Sequence, residues 1–376
     1  MRDAVIVDAV RTPVGKRDGA LAGIHPVHLS AHVLKTLAER TGVEPAEIDD
    51  VIWGCVSQVA DQSGNVGRTA VLAAGWPESV PGTTVDRRCG SSQQAVHFAA
   101  AGVIAGHHDF VIAGGAESMS RVPMGSAARD GRPYPDDVLE RYGVTGFNQG
   151  IGAEMMAGRW GLSRRRLDEY AARSHERAAA AVDSGALDGQ LAPVGELRTD
   201  EGIRRGSSVE TLARLRTAFR DDGVITAGNS SQISDGAGAL LITSSDTARA
   251  RGLRPIARVH TVALAGDDPV IMLTAPIEAT AKALKKSGLR IDDIGAYEVN
   301  EAFAPVPLAW QAETGASGER LNPLGGAIAV GHPLGGSGAV LMTRLLHHMK
   351  DQGLRYGLQT MCEAGGMANA TILELL

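Results

Sequence analysis

Residues 47–56 read EIDDVIWGCV and residues 290–299 read RIDDIGAYEV. Each is an acidic pair leading into a short apolar run, and the likeness continues downstream. Counting 39 residues on from the second Asp of each pair, Asp50 leads to Cys89 and Asp293 to His332. Both are followed by a small-residue turn and a helical pattern, GSSQQAVHFAAAGVIAG at 90–106 and GGSGAVLMTRLLHHMKDQG at 335–353. Both patterns run on to a strand with a Gly-Gly pair, VIAGGAES at 111–118 and TMCEAGGMANA at 360–370. A unit repeated in this way predicts two similar halves packed about a pseudo-twofold axis, with Cys89 and His332 opening helices that face it.

The rest of the chain fits an α/β reading, in which short apolar runs alternate with helical patterns. Strands are predicted at Ala4–Val10, Asp50–Cys55, Phe110–Ala113, Ala239–Thr243, Ala257–Ala265, Ala296–Val299, Leu358–Met361 and Ala370–Leu373. Helices are predicted at His28–Arg40, Ser92–Ala105, Arg164–Asp183, Pro276–Ser287, Ala304–Thr314 and Gly338–Asp351. Between Ser120 and about Ala227 the chain turns Arg- and Asp-rich, with GRPYP at 131–135, and reads as a partly helical insertion on top of a core. Glycine supplies 47 of 376 residues, well above the usual share of about 7%. Its clusters mark tight turns or close backbone contact.

Composition excludes several classes. Lys and Arg total 37 against 43 for Asp and Glu, a net charge of −6 without the basic stripe of a nucleic-acid binder. No apolar stretch approaches the roughly 18 residues of a membrane span, and the charged start MRDAVIVDAVRTPVGK is no signal peptide. Three cysteines build no disulfide framework and suit a reducing, cytoplasmic setting. HExxH and CxxC are absent, so no metal is predicted; Walker, GxGxxG and GxSxG patterns are absent as well.

The residues that could carry chemistry are few. Cys89 precedes a helix, where free N–H groups favour a thiolate and Arg87 and Arg88 add positive charge; it is a nucleophile or a small buried hydrophobe. Cys55 reads as core. Cys362 ends a strand before a Gly-rich turn, a common address for site residues in open sheets. His332 is held on a turn between Gly331 and Pro333. Asn300 and Glu301 follow a strand, where they either cap the next helix or face a site. The other histidines look ordinary.

Seven blocks, VDAVRTPVGK, VDRRCGSSQQAV, AGGAESMS, TAGNSSQISDGAGA, VNEAFA, GGAIAVGHPLGGSGA and MCEAGGMANA, resemble those of the thiolase family in the family's order, over nearly the whole chain. The resemblance implies a duplicated α/β fold of two mirrored βαβαβαββ halves in five layers. It divides the chain into an N-terminal half at 1–251, with a loop domain at about 119–230, and a C-terminal half at 252–376. It implies a homodimer or homotetramer, acyl-CoA and CoA as substrates and products, and no bound cofactor. By resemblance, Cys89 is the acylated nucleophile, His332 activates it, Asn300 holds a water and Cys362 is an acid/base. The amides of Cys89 and Ala364 form an oxyanion hole, and Ser231 and Phe303 lie along the CoA tunnel.

Three departures carry expectations. Ser92 stands where the family usually has glycine, and Ala364 replaces the first glycine of C-x-G-G-G. Asn148-Gln149 stand where short-chain members carry His-Met, leaving room for an acyl group bulkier than acetoacetyl, as in sterol-side-chain members. The implied reaction interconverts 3-oxoacyl-CoA plus CoA with acetyl-CoA plus a shortened acyl-CoA. A decarboxylating condensing enzyme and a non-catalytic CoA or lipid carrier are the alternatives. The former does not need a second catalytic cysteine, and the latter would be expected to lose catalytic residues.

Overall fold

In the computed structural model, which describes residues 2–376, the first half runs β1 (Val5–Arg11), a two-residue β2 (Gly15–Lys16), α1 (Pro26–Thr41), β3 (Asp50–Gly54), α2 (Val66–Ala73), β4 (Thr83–Val85), α3 (Ser91–Ala105) and β5 (Phe110–Ser118). An insertion follows with α4 (Asp136–Tyr142), α5 (Gln149–Arg159), α6 (Arg164–Asp183) and α7 (Val209–Leu212), after which β6 (Ser234–Thr243) returns to the sheet. A short α8 (Ser245–Ala250) leads to the second half: β7 (Ala257–Gly266), α9 (Ala275–Ser287), β8 (Ala296–Val299), α10 (Pro305–Thr314), α11 (Ala327–Val330), α12 (Ser337–Gln352), β9 (Tyr356–Glu363) and β10 (Met367–Leu375).

Strand order makes the repeat visible. It runs β4-β3-β5-β6-β1-β7-β10-β9-β8, with β2 beside β6. Reflected about the β1–β7 seam, β6 corresponds to β10, β5 to β9 and β3 to β8. The pairing senses match: β3–β5 and β8–β9 are parallel, while β5–β6 and β9–β10 are antiparallel. The parallel neighbour β4 of β3 is echoed by a single parallel bridge, Tyr297 to Leu321. The seam itself is thin, pairing only Val5 with Arg258 and Ile6 with Ala257.

Alternation along the strands builds the layers, since successive side chains leave opposite faces. On β6, Leu240 and Ile242 join the core around α3 and α12, with Ala99 and Val103 of α3 and Met342 and Leu346 of α12. Ala239 and Leu241 face the other way, into the core under α1 and α2 with Leu34 and Val71. In the second half, Ala370 and Ile372 of β10 pack outward with Ala279 of α9 and Trp310 of α10. The central layer is α3 with α12, the two halves of the continuous sheet flank it, and the remaining helices cover the outside. A Cβ on Gly338 would overlap the Gln93 backbone, and one on Gly115 the carbonyl of Gly335. These glycines serve close backbone approach, the second of the two readings given to them.

Buried polar groups dock the insertion. Arg11 of β1 donates to both carboxylate oxygens of Asp200, at 2.7 and 3.1 Å. Its Nε donates to Gln190 Oε1 at 2.7 Å. Glu301 accepts from Tyr170 (2.9 Å) and Ser174 (2.7 Å) of α6, and from Asn322 (2.9 Å) and the Ile328 amide (3.1 Å). Among the described residues no helix is long and apolar enough to cross a membrane.

Candidate active site

Both halves deliver a turn to the start of a central helix. In the first half, Cys89 lies just before Gly90, the residue that opens α3. Arg88 takes φ 49°, a left-handed conformation that costs a non-glycine residue energy and re-aims the chain. Ser91 holds this turn: its Oγ accepts from the Arg87 amide at 2.9 Å and donates to the Arg88 carbonyl at 2.6 Å. The thiol is packed among Met119, Leu334, Leu341 and Met361.

The sequence pointed to a thiolate favoured by the helix start, and the structure corrects this. Burial pushes the Cys89 thiol up to about 12 and the Glu363 carboxyl adds to that; the local N–H and Arg88 offset only part. Desolvation of the charged form outweighs the helix dipole. At rest Cys89 is therefore a thiol.

His332 lies on the corresponding turn. Burial alone lowers its pKa to about 4, so the ring is neutral at pH 7. Ser337 Oγ donates to the Pro333 carbonyl at 2.9 Å, so at 2.6 Å from His332 Nδ1 it accepts the Nδ1 proton. This network assigns the proton to Nδ1 and leaves Nε2 as an acceptor that the Asn300 amide faces as donor. Asn300 Nδ2 lies 3.4 Å from that Nε2, and Asn300 Oδ1 has no hydrogen-bond partner among the described residues. The pair read from VNEAFA thus divides: Asn300 faces the site, while Glu301 anchors the insertion.

Cys362 is buried near the end of β9. Burial, then negative charge at Cys89, then Glu363 raise its pKa well above the ordinary thiol value. The turn after it uses Gly365 (φ 92°) and Gly366 (φ 74°), whereas Ala364 has no positive φ and carries its methyl without strain. Among the described residues the amides of Cys89 and Ala364 donate no hydrogen bond to protein. Ser92 has found a use: its Oγ accepts the Ala339 amide at 2.9 Å, satisfying a free N–H in the first turn of α12 in the other half.

A cavity of about 310 Å³ has Cys89, Ala364, Leu334, Tyr134, Phe147 and Gln149 on its wall, whereas His332, Asn300 and Cys362 do not line it. Larger hollows beside α6 (about 540 Å³) and α9 (about 520 Å³) contain no cysteine. Gln149 lies on this wall and Asn148 does not. Its Oδ1 accepts from the Gly150 (2.9 Å) and Ile151 (3.2 Å) amides, so it is the N-cap of α5 rather than part of the wall. Ser231 and Phe303 sit together off this wall. The Ser231 amide donates to the Ala302 carbonyl at 2.9 Å, and the Phe303 ring meets Phe219 edge-on at 5.9 Å.

Sequence reading passed over three contributors. Ser337 orients His332 but lies inside a glycine-rich run. Glu117 accepts the Val56, Ser57 and Gly335 amides at 2.9–3.0 Å and so ties loops of the two halves together, yet it reads as an ordinary strand-end acid. Glu363, directly after Cys362, is the third.

Comparison with known proteins agrees with this arrangement along the whole chain. Residues 4–246 match the family model described as "Thiolase, N-terminal domain", and residues 253–375 match "Thiolase, C-terminal domain". A steroid 3-ketoacyl-CoA thiolase of Mycobacterium tuberculosis is 49% identical over 388 residues, covering 100% of this chain and 95% of that protein. A 3-ketoacyl-CoA thiolase of Escherichia coli is 43% identical, with 100% of both chains covered. The crystal structure of the Bacillus anthracis acetyl-CoA acetyltransferase superposes with a TM-score of 0.92 at 38% identity, covering 100% of this chain and 99% of that one. With a duplicated fold, a cysteine and a histidine at matching helix starts and family models spanning both halves, this chain belongs to the thiolase family.

Proposed function

We propose that the protein interconverts a 3-oxoacyl-CoA and CoA with acetyl-CoA and a shortened acyl-CoA. The observation that carries this reading is a pair of buried thiols, Cys89 at the turn before α3 and Cys362 within its electrostatic reach, with a neutral His332 hydrogen-bonded to Ser337 and Asn300 on the turn before α12. A base with this proton inventory can activate a thiol that does not ionise by itself.

In the synthetic direction, Cys89 Sγ attacks the thioester carbonyl of an acyl-CoA while His332 Nε2 takes the thiol proton. The tetrahedral intermediate collapses to acyl-Cys89, and CoA leaves with that proton. Cys362 then passes its thiol proton to the vacated His332 Nε2 and, as thiolate, removes an α-proton from acetyl-CoA. The resulting enolate oxygen is stabilised by the Nε2–H that His332 now carries and by a water held by Asn300. The enolate carbon attacks acyl-Cys89, and the new oxyanion is met by the amides of Cys89 and Ala364. The attack forms the C–C bond; collapse of the adduct breaks the S–C bond, and the Cys89 thiolate takes back the proton held on His332 Nε2. Thiolysis is the same path reversed.

Gln149, Tyr134 and Phe147 on a mostly apolar wall favour acyl groups larger than acetoacetyl. Ser231 and Phe303 are assigned to the approach of the pantetheine arm. A homodimer or homotetramer is supported by Phe98 and Ile104, which α3 exposes at 46% and 45%, beside the edge strand β4. Three unpaired cysteines support a cytoplasmic setting. The test is a panel of 3-oxoacyl-CoAs, from four carbons to sterol-sized, with CoA as co-substrate. Thiolysis of longer members is expected, and no thiolysis of any member would overturn the reading.

A further inference from the structure

Glu363 takes part in no step above, yet it is a fully buried carboxyl in the site. It follows Cys362 on β9 and projects to the opposite face, the face of Met361, which packs against Cys89. Neither of its oxygens has a hydrogen-bond partner among the described residues. The carboxyl rests on Gly90, next to the nucleophile: a Cβ there would overlap Glu363 Oε1 and come within 2.6 Å of Asn369 Nδ2. Gly90 has φ −86°, so its backbone does not demand glycine; Glu363 and Asn369 occupy the space. Asn369 Nδ2 donates to the Gly90 carbonyl at 3.0 Å and makes no hydrogen bond to Glu363.

An ionised carboxylate buried without a donor is costly, so the acid form is the stable one. The charged and titratable groups around it are Asp86 and Arg87 ahead of α3, Cys89 after them, and Cys362 on β9; Asn369 on β10 does not titrate. Glu117 on β5 acts on Cys89 but not on Glu363. Burial pushes Glu363 up to about 8, with Arg87 lowering it and Asp86 raising it.

We propose that Glu363 is a positioning residue for the nucleophile: as a neutral acid against Gly90 it keeps negative charge away from Cys89 and Cys362, and on ionising it disfavours the Cys89 thiolate. This rests on the reading of Cys89 as the reactive thiol. It implies that the residue after the acid/base cysteine sets the alkaline limit of the site.

The test follows iodoacetamide labelling of the Cys89 peptide by mass spectrometry from pH 6 to 10 in the full chain, for wild type, Glu363→Gln and Glu363→Leu. Both neutral replacements are expected to label about tenfold faster than wild type above pH 8, the effect of one nearby like charge, and at the wild-type rate at pH 6. A merely structural role would not shift two replacements of different shape in the same direction. Rates that coincide with wild type across the range, or fall below it above pH 8, overturn the proposal. Where neither variant melts cooperatively, the wild-type rate decides: ionisation of Glu363 makes it rise less than tenfold per pH unit near pH 8, and an unbroken tenfold rise overturns the proposal. Failure to label Cys89 at any pH would overturn the nucleophile assignment and this proposal with it; labelling with coincident curves would overturn this proposal alone.

Discussion

The two halves share a strand order and differ most in one connection. Between β5 and β6 the chain spends residues 119–233 on the insertion, while between the matching β9 and β10 it turns within Ala364–Gly366. The long connection supplies Tyr134, Phe147 and Gln149 to the cavity wall; the short one presents the Ala364 amide next to Cys362. The central helices differ in the same spirit, since the turn before α3 offers a thiol and the turn before α12 an imidazole. The repeat presents two facing helix starts, and on the proposed reading one carries the nucleophile and the other the base.

The sharpest way to break this division is to remove each thiol. Cys89→Ala should abolish acetylation and turnover together. Cys362→Ala should still form acetyl-Cys89, seen as a mass increase on that peptide, and exchange the acetyl group with free CoA. Its condensation and thiolysis should fall about 100- to 10,000-fold, the worth of a positioned acid/base. Loss of acylation in a folded Cys362→Ala protein would remove the asymmetry between the halves.

The base side is tested next. His332→Ala should cost about 100- to 1,000-fold in turnover through the lost oxyanion donor alone. Ser337→Ala, which only frees the imidazole, should cost about tenfold, roughly one hydrogen bond. Equal losses would mean that Ser337 does more than orient the ring.

Protons give a smaller effect of known sign. Burial lowers His97 to about 3 and His175 and His332 to about 4, from an ordinary 6.5. Between those values the unfolded chain binds protons that the folded one does not, so stability falls as pH drops from about 6.5 toward 4. The Tm should decline over this window, and acylation of Cys89 should persist to near pH 5 before protonation of His332 ends it. A flat Tm across the window would count against these histidines being buried and neutral.

The smallest expected effect concerns the insertion. Asn148→Ala should destabilise the fold by about 1 kcal/mol, measured by urea unfolding, as loss of an N-cap does. A large change in acyl preference would return Asn148 to the cavity wall.

What could be read in advance followed from strong local signals. The repeated acidic pair led to both helix starts, and α6 runs from Arg164 to Asp183 as its pattern predicted, capped by Ser163. β4 was missed because Thr83–Val85 is three half-exposed residues with no alternation to detect. α5 was missed because Gly150, Gly152 and Gly158 break the helical pattern; the first two make room for the Phe219 ring and the Ile271 carbonyl. Helix-start chemistry gave the wrong direction for Cys89 because burial, set by residues distant in sequence such as Leu334 and Met361, dominates. Glu363 went unread because a glutamate at a strand end looks exposed until the opposite turn is in place.

The seam between the two halves of the sheet is two residue pairs, so α3 and α12 carry most of the joining, and each half leaves its central helix uncovered without the other. Cys89 belongs to one half and His332 to the other. On the proposed reading, acylation therefore requires both halves to be docked, and turnover doubles as a report that they are.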